Sequence, residues 1–250
     1  MIPAIVTVRT KSSRLPQKCL LRFGQDTVIH HVLRRCIKGG LRPILCTTTD
    51  KTDDILIEIC NELGVEFFRG SEQNKLQRWR NCCEEFMLEC FHSVDADDPF
   101  FCPEEVRRSF AKLSEGFDMI EPSKSSAAGG ATVGYSIKSK AIDAACVGLA
   151  ADTDTEMMWA YMKAVPELKT LQLSEPFQDV ISARMTLDYQ EDYIFLHAIL
   201  SLLGPDVNRN SINRLLSQNP DLENINAFRK DEWANNQKAK VLISAKGLET

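Results

Sequence analysis

The chain has 250 residues, 44% of them hydrophobic, with nine cysteines and a formal net charge of -5. That length holds a sizeable core in one α/β domain spanning 1–250, and the acidic balance excludes a broad nucleic-acid or membrane surface, because both partners are anionic. No apolar run approaches the ~20 residues that cross a bilayer, residues 1–10 run straight into a strand, and an odd cysteine count without C-x-x-C spacing favours reduced, packed thiols. A cytoplasmic protein with no cleaved leader is expected.

In chain order, short β-type runs alternate with helix-type segments, the pattern of a mostly parallel sheet flanked by helices. Residues 4–8 open it as a strand. Val28, Ile29, Val32, Leu33 and Cys36 carry helical spacing over 28–38, which stops at Gly39 and Gly40. A second strand is expected at 44–47, an amphipathic helix at 53–63 ended by Gly64, and a third strand at 65–68. A long helix over 76–90 leads to a strand at 93–96, and Pro103 with the acids after it suits the first turn of a helix over 103–113. The Ser-, Ala- and Gly-rich stretch 123–134 reads as a flexible, substrate-facing loop. A strand at 132–137 and helices at 139–147 and 155–164 make up a smaller lobe at about 123–180. The chain returns through Leu171 and Ile181 to a strand near Met185. Helices at 191–203 and 212–217 follow, with a polar arm or frayed tail after Asn219.

Chemistry concentrates in three segments. Arg9, Lys11, Arg14 and Lys18 share a loop with Thr10, Ser12 and Ser13 directly after the first strand, at the strand end where open α/β sheets bind ligands. Arginine forks and a lysine point charge there suit a triphosphate, although the G-K-[ST] ending of a Walker loop is missing and an exposed basic turn has the same composition. Asp95, Asp97 and Asp98 end the strand at 93–96, where hard carboxylates suit Mg²⁺ and equally suit a capping turn before Pro103. Asp188 stands just past a strand, so it is able to share a metal with Asp97, while Glu191 and Asp192 fit the dipole of the following helix.

Together these segments resemble the cytidylyltransferases of the spore-coat polysaccharide type, relatives of the synthetases that make CMP-sialate and CMP-3-deoxy-manno-octulosonate. An R-x-x-S-S-R-L-P-x-K-x-L pattern is present as Arg9, Ser12, Ser13, Arg14, Leu15, Pro16, Lys18 and Leu20, followed by Thr48-Thr49-Asp50 and Arg69-Gly70-Ser71-Glu72. A turn like G-D-x-P is present as Ala96-Asp97-Asp98-Pro99, and a segment like V-D-x-x-E-D as 187–192. A family-like ending appears at Asn219, Pro220, Leu222, Ile225 and Asn226, so the similarity spans nearly the whole chain.

The resemblance implies a Rossmann-like nucleotidyltransferase fold with a small dimerisation and acceptor lobe, and a homodimer. It implies CTP held by Arg9, Ser12, Ser13, Arg14 and Lys18 with Ser71 and Arg78 nearby, and Mg²⁺ held by Asp97 and Asp188. Lys18, Arg14 and Asp97 would carry catalysis, and Asp95 would be a base or a support to the metal carboxylate. The implied reaction is CMP transfer to a sugar acid, a 3-deoxy-ulosonic acid above all. Another triphosphate, a sugar phosphate, or a silent nucleotide-binding protein are its rivals. Two departures stand out: Ala96 takes the place of a glycine, and Thr155-Glu156-Met157-Met158-Trp159 stands where relatives carry an R-E-H-like segment, offering a more apolar wall.

Overall fold

The computed structural model describes residues 1–176 and 183–238. Along the chain run β1 (Ile2–Thr7), a short hairpin of β2 (Arg22–Phe23) and β3 (Asp26–Thr27), α1 (Val28–Lys38), β4 (Leu41–Thr48), α2 (Asp54–Leu63), β5 (Glu66–Gly70), α3 (Lys75–Glu85), β6 (Cys90–Asp95), α4 (Pro103–Ala111), β7 (Met119–Glu121), β8 (Ser136–Lys138), α5 (Ser139–Ala145), α6 (Met158–Lys163), β9 (Thr170–Gln172), α7 (Gln190–Leu203) and α8 (Arg209–Gln218). Seven strands form one sheet in the order β5-β4-β1-β6-β8-β7-β9. β5, β4, β1 and β6 are parallel, β8 runs antiparallel between β6 and β7, and β9 pairs parallel to β7.

β1 is an interior strand because both its faces can be buried. Ala4, Ile5 and Val6 are fully buried, with Ala4 and Val6 in one core layer and Ile5 in the other. The first layer is closed by α1, α2, α4, α7 and α8, and the second by α3, α5 and α6. Eight of the nine cysteines are buried, which fits the packing role expected for them. No helix among the described residues is long and apolar enough to cross a membrane.

Several element boundaries differ from the sequence expectation. The helix expected to reach residue 90 stops at Glu85, because Met87 adopts a left-handed φ of 52° and the Leu88 amide turns back to the Cys83 carbonyl. Residues 132–135 are not a strand; the chain there crosses the end of the sheet, with Ser93 N donating to the Tyr135 carbonyl at 2.7 Å. The strand expected near Met185 is also absent from the sheet. Met185 N and Leu187 N donate instead to the carbonyls of Gly129 and Asp97, at 2.8 and 2.7 Å. Thr155 does not begin α6, since its hydroxyl caps α3 by accepting from Leu76 N at 2.9 Å. β7 and β9, three residues each, had too few alternating positions to register. Residues 123–176 of the expected lobe extend the same sheet, while 177–180 and Ile181 lie outside the described residues.

The tail after Asn219 is neither an arm nor frayed up to residue 238. It forms two short 3₁₀ turns, Pro220–Ile225 and Ala227–Arg229, and residues 230–238 are helical. Asn226, only 1% exposed, ties it down by donating to the Arg184 carbonyl and to Asp192.

Candidate active site

The carboxyl ends of β1 and β6 open into one cleft of about 1580 Å³. Its basic rim is the loop that leaves β1, and this loop is fixed at its root by one buried carboxylate. Asp53 accepts from Thr10 N at 2.8 Å, Thr10 Oγ1 at 2.7 Å, Thr47 Oγ1 at 2.9 Å and Thr48 Oγ1 at 2.6 Å. The loop closes on itself where Gln17 N donates to the Thr10 carbonyl, and Leu15 and Cys19 anchor it in the core. Arg9, Ser12, Ser13, Arg14 and Lys18 all line the cleft, as the sequence predicts for a ligand-facing loop.

Lys18 and Arg14 do not point into open solvent. Lys18 Nζ donates to Asp97 Oδ2 at 2.7 Å, to Asp188 Oδ1 at 2.9 Å and to the Leu187 carbonyl at 2.7 Å. Arg14 Nη2 donates to the same Asp188 oxygen at 2.6 Å, and its guanidinium lies 5.5 Å from the Tyr189 ring centre. Burial works against the Lys18 charge, but Asp97 and Asp188 more than offset it, so its pKa is raised. Burial likewise works against ionised Asp188, yet Lys18 and Arg14 hold its carboxyl below the usual range.

Asp188 is itself oriented from behind. Asp192, fully buried, accepts from the amides of Asp188 and Tyr189 at 2.9 and 2.8 Å and from both Nε and Nη2 of Arg184, which leans on Asp188 Oδ2 at 3.4 Å. The dipole reading of Asp192 therefore covers part of its work: it caps α7 and also braces the site. Glu191 stays outside, paired with Arg229.

The donor set fits a magnesium ion. Asp97 follows β6 and Asp188 precedes α7, and one ammonium reaches both, so their oxygens already converge on a shared cation. No group of three or more His, Cys, Asp or Glu side chains among the described residues forms a complete metal site. A pair of hard carboxylates completed by water and substrate phosphates is how Mg²⁺ is commonly held. Asp95 accepts from Lys75 Nζ at 3.3 Å. The Ala96 methyl is 6% exposed and lines the cleft, the physical form of the glycine departure.

Ser71 and Arg78 are held together at the start of α3, with Arg78 Nη1 donating to the Ser71 carbonyl at 2.5 Å and Ser71 Oγ accepting from Asn74 N. Arg78 lines the cleft, whereas Ser71 is not among its lining residues. Lys75 was missed from sequence. It lies 4.8 Å over the Trp79 ring and lines the cleft, and a lone lysine in a helix carries no signal that would have singled it out.

Across the cleft, Met157, Met158 and Trp159 form a wall; Met158 is buried in the second core, and Lys163 Nζ lies 5.5 Å over the Trp159 ring. The loop 123–134 faces the cleft as expected, but it is braced. Ser126 Oγ donates to the Val133 carbonyl at 2.9 Å and accepts from the amides of Thr132 and Val133. Gly134 leaves no room for a side chain, because a Cβ there would lie 2.1 Å from the Ser93 carbonyl oxygen. Trp233 of the terminal helical segment also lines the cleft, 5.2 Å from the Arg184 guanidinium, and the sequence reading had passed it over in a polar tail.

Residues 3–157 match the cytidylyltransferase family. The spore coat polysaccharide biosynthesis protein SpsF of Bacillus subtilis is 28% identical, over 87% of this chain and 94% of its own length. A cytidylyltransferase structure from Leptospira borgpetersenii superposes with a TM-score of 0.74 at 17% identity, covering 88% of this chain and 95% of that one. The structure of CMP:2-keto-3-deoxy-manno-octonic acid synthetase complexed with CTP gives 0.60 at 13% identity, covering 81% and 99%. The chain belongs to the cytidylyltransferase family and is a nucleotidyltransferase.

Proposed function

We propose, from the premise of a cytidylyltransferase, that this chain transfers CMP from CTP to a sugar acid, an eight- or nine-carbon 3-deoxy-ulosonic acid, releasing pyrophosphate for cell-surface polysaccharide or glycoconjugate synthesis. The observation that carries this reading is the convergence of Lys18, Arg14, Asp97 and Asp188 at one point of a cleft large enough for two substrates. A hydroxyl oxygen of the acceptor attacks the α-phosphorus of CTP, and the bond to the β-phosphate oxygen breaks. Mg²⁺, held by Asp97 and Asp188, supplies charge neutralisation and alignment of the phosphates.

Arg9, Arg14 and Lys18 neutralise the triphosphate from the β1 side, with Ser12 and Ser13 as donors and Arg78, backed by Ser71, at the nucleotide end. Asp95, at the cleft floor and steadied by Lys75, is the group we assign to receive the acceptor proton. The lobe at 123–180 supplies the acceptor wall through Met157, Met158 and Trp159, and the homodimer contact. Val147, 80% exposed beside α5, supports an apolar contact there.

A pyrophosphate-release screen of four triphosphates against sugar acids and sugar phosphates tests the whole reading. CTP with a 3-deoxy-ulosonic acid should give the highest kcat/KM. A preference for another triphosphate or for a sugar phosphate overturns the assignment, and absence of release with every pair leaves a nucleotide-binding protein.

A further inference from the structure

The two carboxylates assigned to the metal already hold a cation that this chain supplies. Lys18 directs all three of its ammonium hydrogens inward, to Asp97, Asp188 and the Leu187 carbonyl, within 2.7–2.9 Å. A divalent ion and this ammonium need the same oxygens, Asp97 Oδ2 and Asp188 Oδ1, so they compete. Arg14 adds a second cation on Asp188 Oδ1, and Arg184 a third on Oδ2.

Charge decides who wins. Asp97, Asp188 and Asp192 carry three negative charges against the three positive charges of Lys18, Arg14 and Arg184. Asp95 is answered by Lys75. Counting Asp98 as ionised adds one negative charge, still short of the two positive charges of the metal. The Asp188 and Arg184 side chains are only 4% and 2% exposed, so water screens an excess charge there poorly. A triphosphate, by contrast, brings the anionic oxygens that both Lys18 and Arg14 can turn to.

We propose that Lys18 is a resident counter-ion that keeps Mg²⁺ out of the site until CTP arrives, so that metal and nucleotide enter together and Lys18 passes from the carboxylates to the phosphates. This rests on the assignment of Asp97 and Asp188 to the metal. It assigns Lys18 two successive partners and gives the enzyme a means of not loading metal without substrate.

The test is Mn²⁺ binding without nucleotide, read from the free-ion EPR signal. The parent should bind Mn²⁺ weakly alone and at least about tenfold more tightly with CTP present, once the Mn²⁺ that the same CTP binds without protein is subtracted. Lys18→Met should bind Mn²⁺ alone at least about tenfold more tightly than the parent while losing CTP affinity, because a competing charge is gone. A general folding defect cannot produce that gain. Lys18→Met binding Mn²⁺ no better than the parent overturns the proposal. If neither Lys18→Met nor Lys18→Gln folds, a parent that binds Mn²⁺ equally with and without CTP overturns it. The metal assignment fails separately, if Asp97→Asn on the Lys18→Met background leaves the Mn²⁺ affinity unchanged.

Discussion

On the β1 side of the cleft the lining side chains are tied to one another by charge: Lys18, Arg14, Asp97, Asp188 and Arg184 form a continuous chain of ion pairs. On the α6 side they are tied to the core by packing. Met158 and Tyr161 sink into the second hydrophobic layer, and the polar contacts are rim pairs such as Lys163 with Glu121 at 3.0 Å and Arg9 with Glu156 at 3.4 Å. A charge network fixes geometry to a fraction of an ångström and fails if one member goes, because the others are left buried and unpaired. A packed wall tolerates exchange of shape and redirects which molecule fits.

Removing one of the two converging carboxylates breaks this comparison most severely. Asp97→Asn or Asp188→Asn should lower kcat by on the order of 100-fold or more, with circular dichroism of the parent. A folded Asp97→Asn protein turning over at the parental rate removes the metal assignment. Next in size, Lys18→Ala should weaken CTP binding about tenfold or more by calorimetry, since a point charge on the phosphates is lost. Parental affinity would make the loop a surface turn. Arg14→Lys sharpens the point, because it keeps the charge and loses the planar fork that suits phosphate oxygens.

The packed wall should respond differently. Trp159→Ala should raise the KM of the acceptor by several-fold and leave CTP affinity as it was, and it should narrow any preference for acylated over fully hydroxylated acids. That preference follows from the ~1–3 kcal/mol cost of burying an unpaired hydroxyl. Unchanged acceptor kinetics assign the segment to packing alone.

The effect that leaves catalysis aside lies at the seam between the two sides, where β6 meets β8. His92 is fully buried, accepts from Gly134 N at its Nε2 and shares its Nδ1 with Ser136 Oγ at 2.8 Å, which assigns it the neutral tautomer with the proton on Nδ1. Burial pushes its pKa down to about 3. The folded value lies below the unfolded one near 6.5, so its contribution is complete above about pH 6.5 and is lost as pH falls toward 3. Urea unfolding at pH 7.5, 5.5 and 4.5 should show stability falling, by up to ~1.4 kcal/mol per pH unit for this one group. His31, pushed down to about 4, acts in the same direction. A flat profile would mean that neither ring is held neutral.

How far all this was legible in the sequence follows the same division. Helix α1 was found to the residue, because its apolar stripe and double-glycine stop are local signals. The charged cluster was legible because charge is written in residue type: Arg14 and Lys18 stand out in the loop after β1, Asp97 after β6 and Asp188 before α7, and the fold had only to bring them together. What the sequence hid was which partners they take. Nothing local says that Lys18 faces two aspartates, that Asn226 returns to Arg184 and Asp192, or that Trp233 of a polar tail lines the cleft, since these contacts join residues separated by up to 170 positions. β7 and β9 were hidden for the opposite reason, being too short to show a period.

The anchoring of the basic loop by Asp53 reaches beyond catalysis. One carboxylate welds the root of the loop to β4 through three threonines, while Lys11 and Ser13 at the tip stay exposed. A segment clamped at its root and exposed at its tip separates heritable scaffold from variable surface. In a saturation library, Thr10, Thr47 and Asp53 should be depleted of nearly every substitution, whereas the exposed Lys11 should accept many. New phosphate-side preferences can therefore be sought at the tip, without reselecting the fold beneath it.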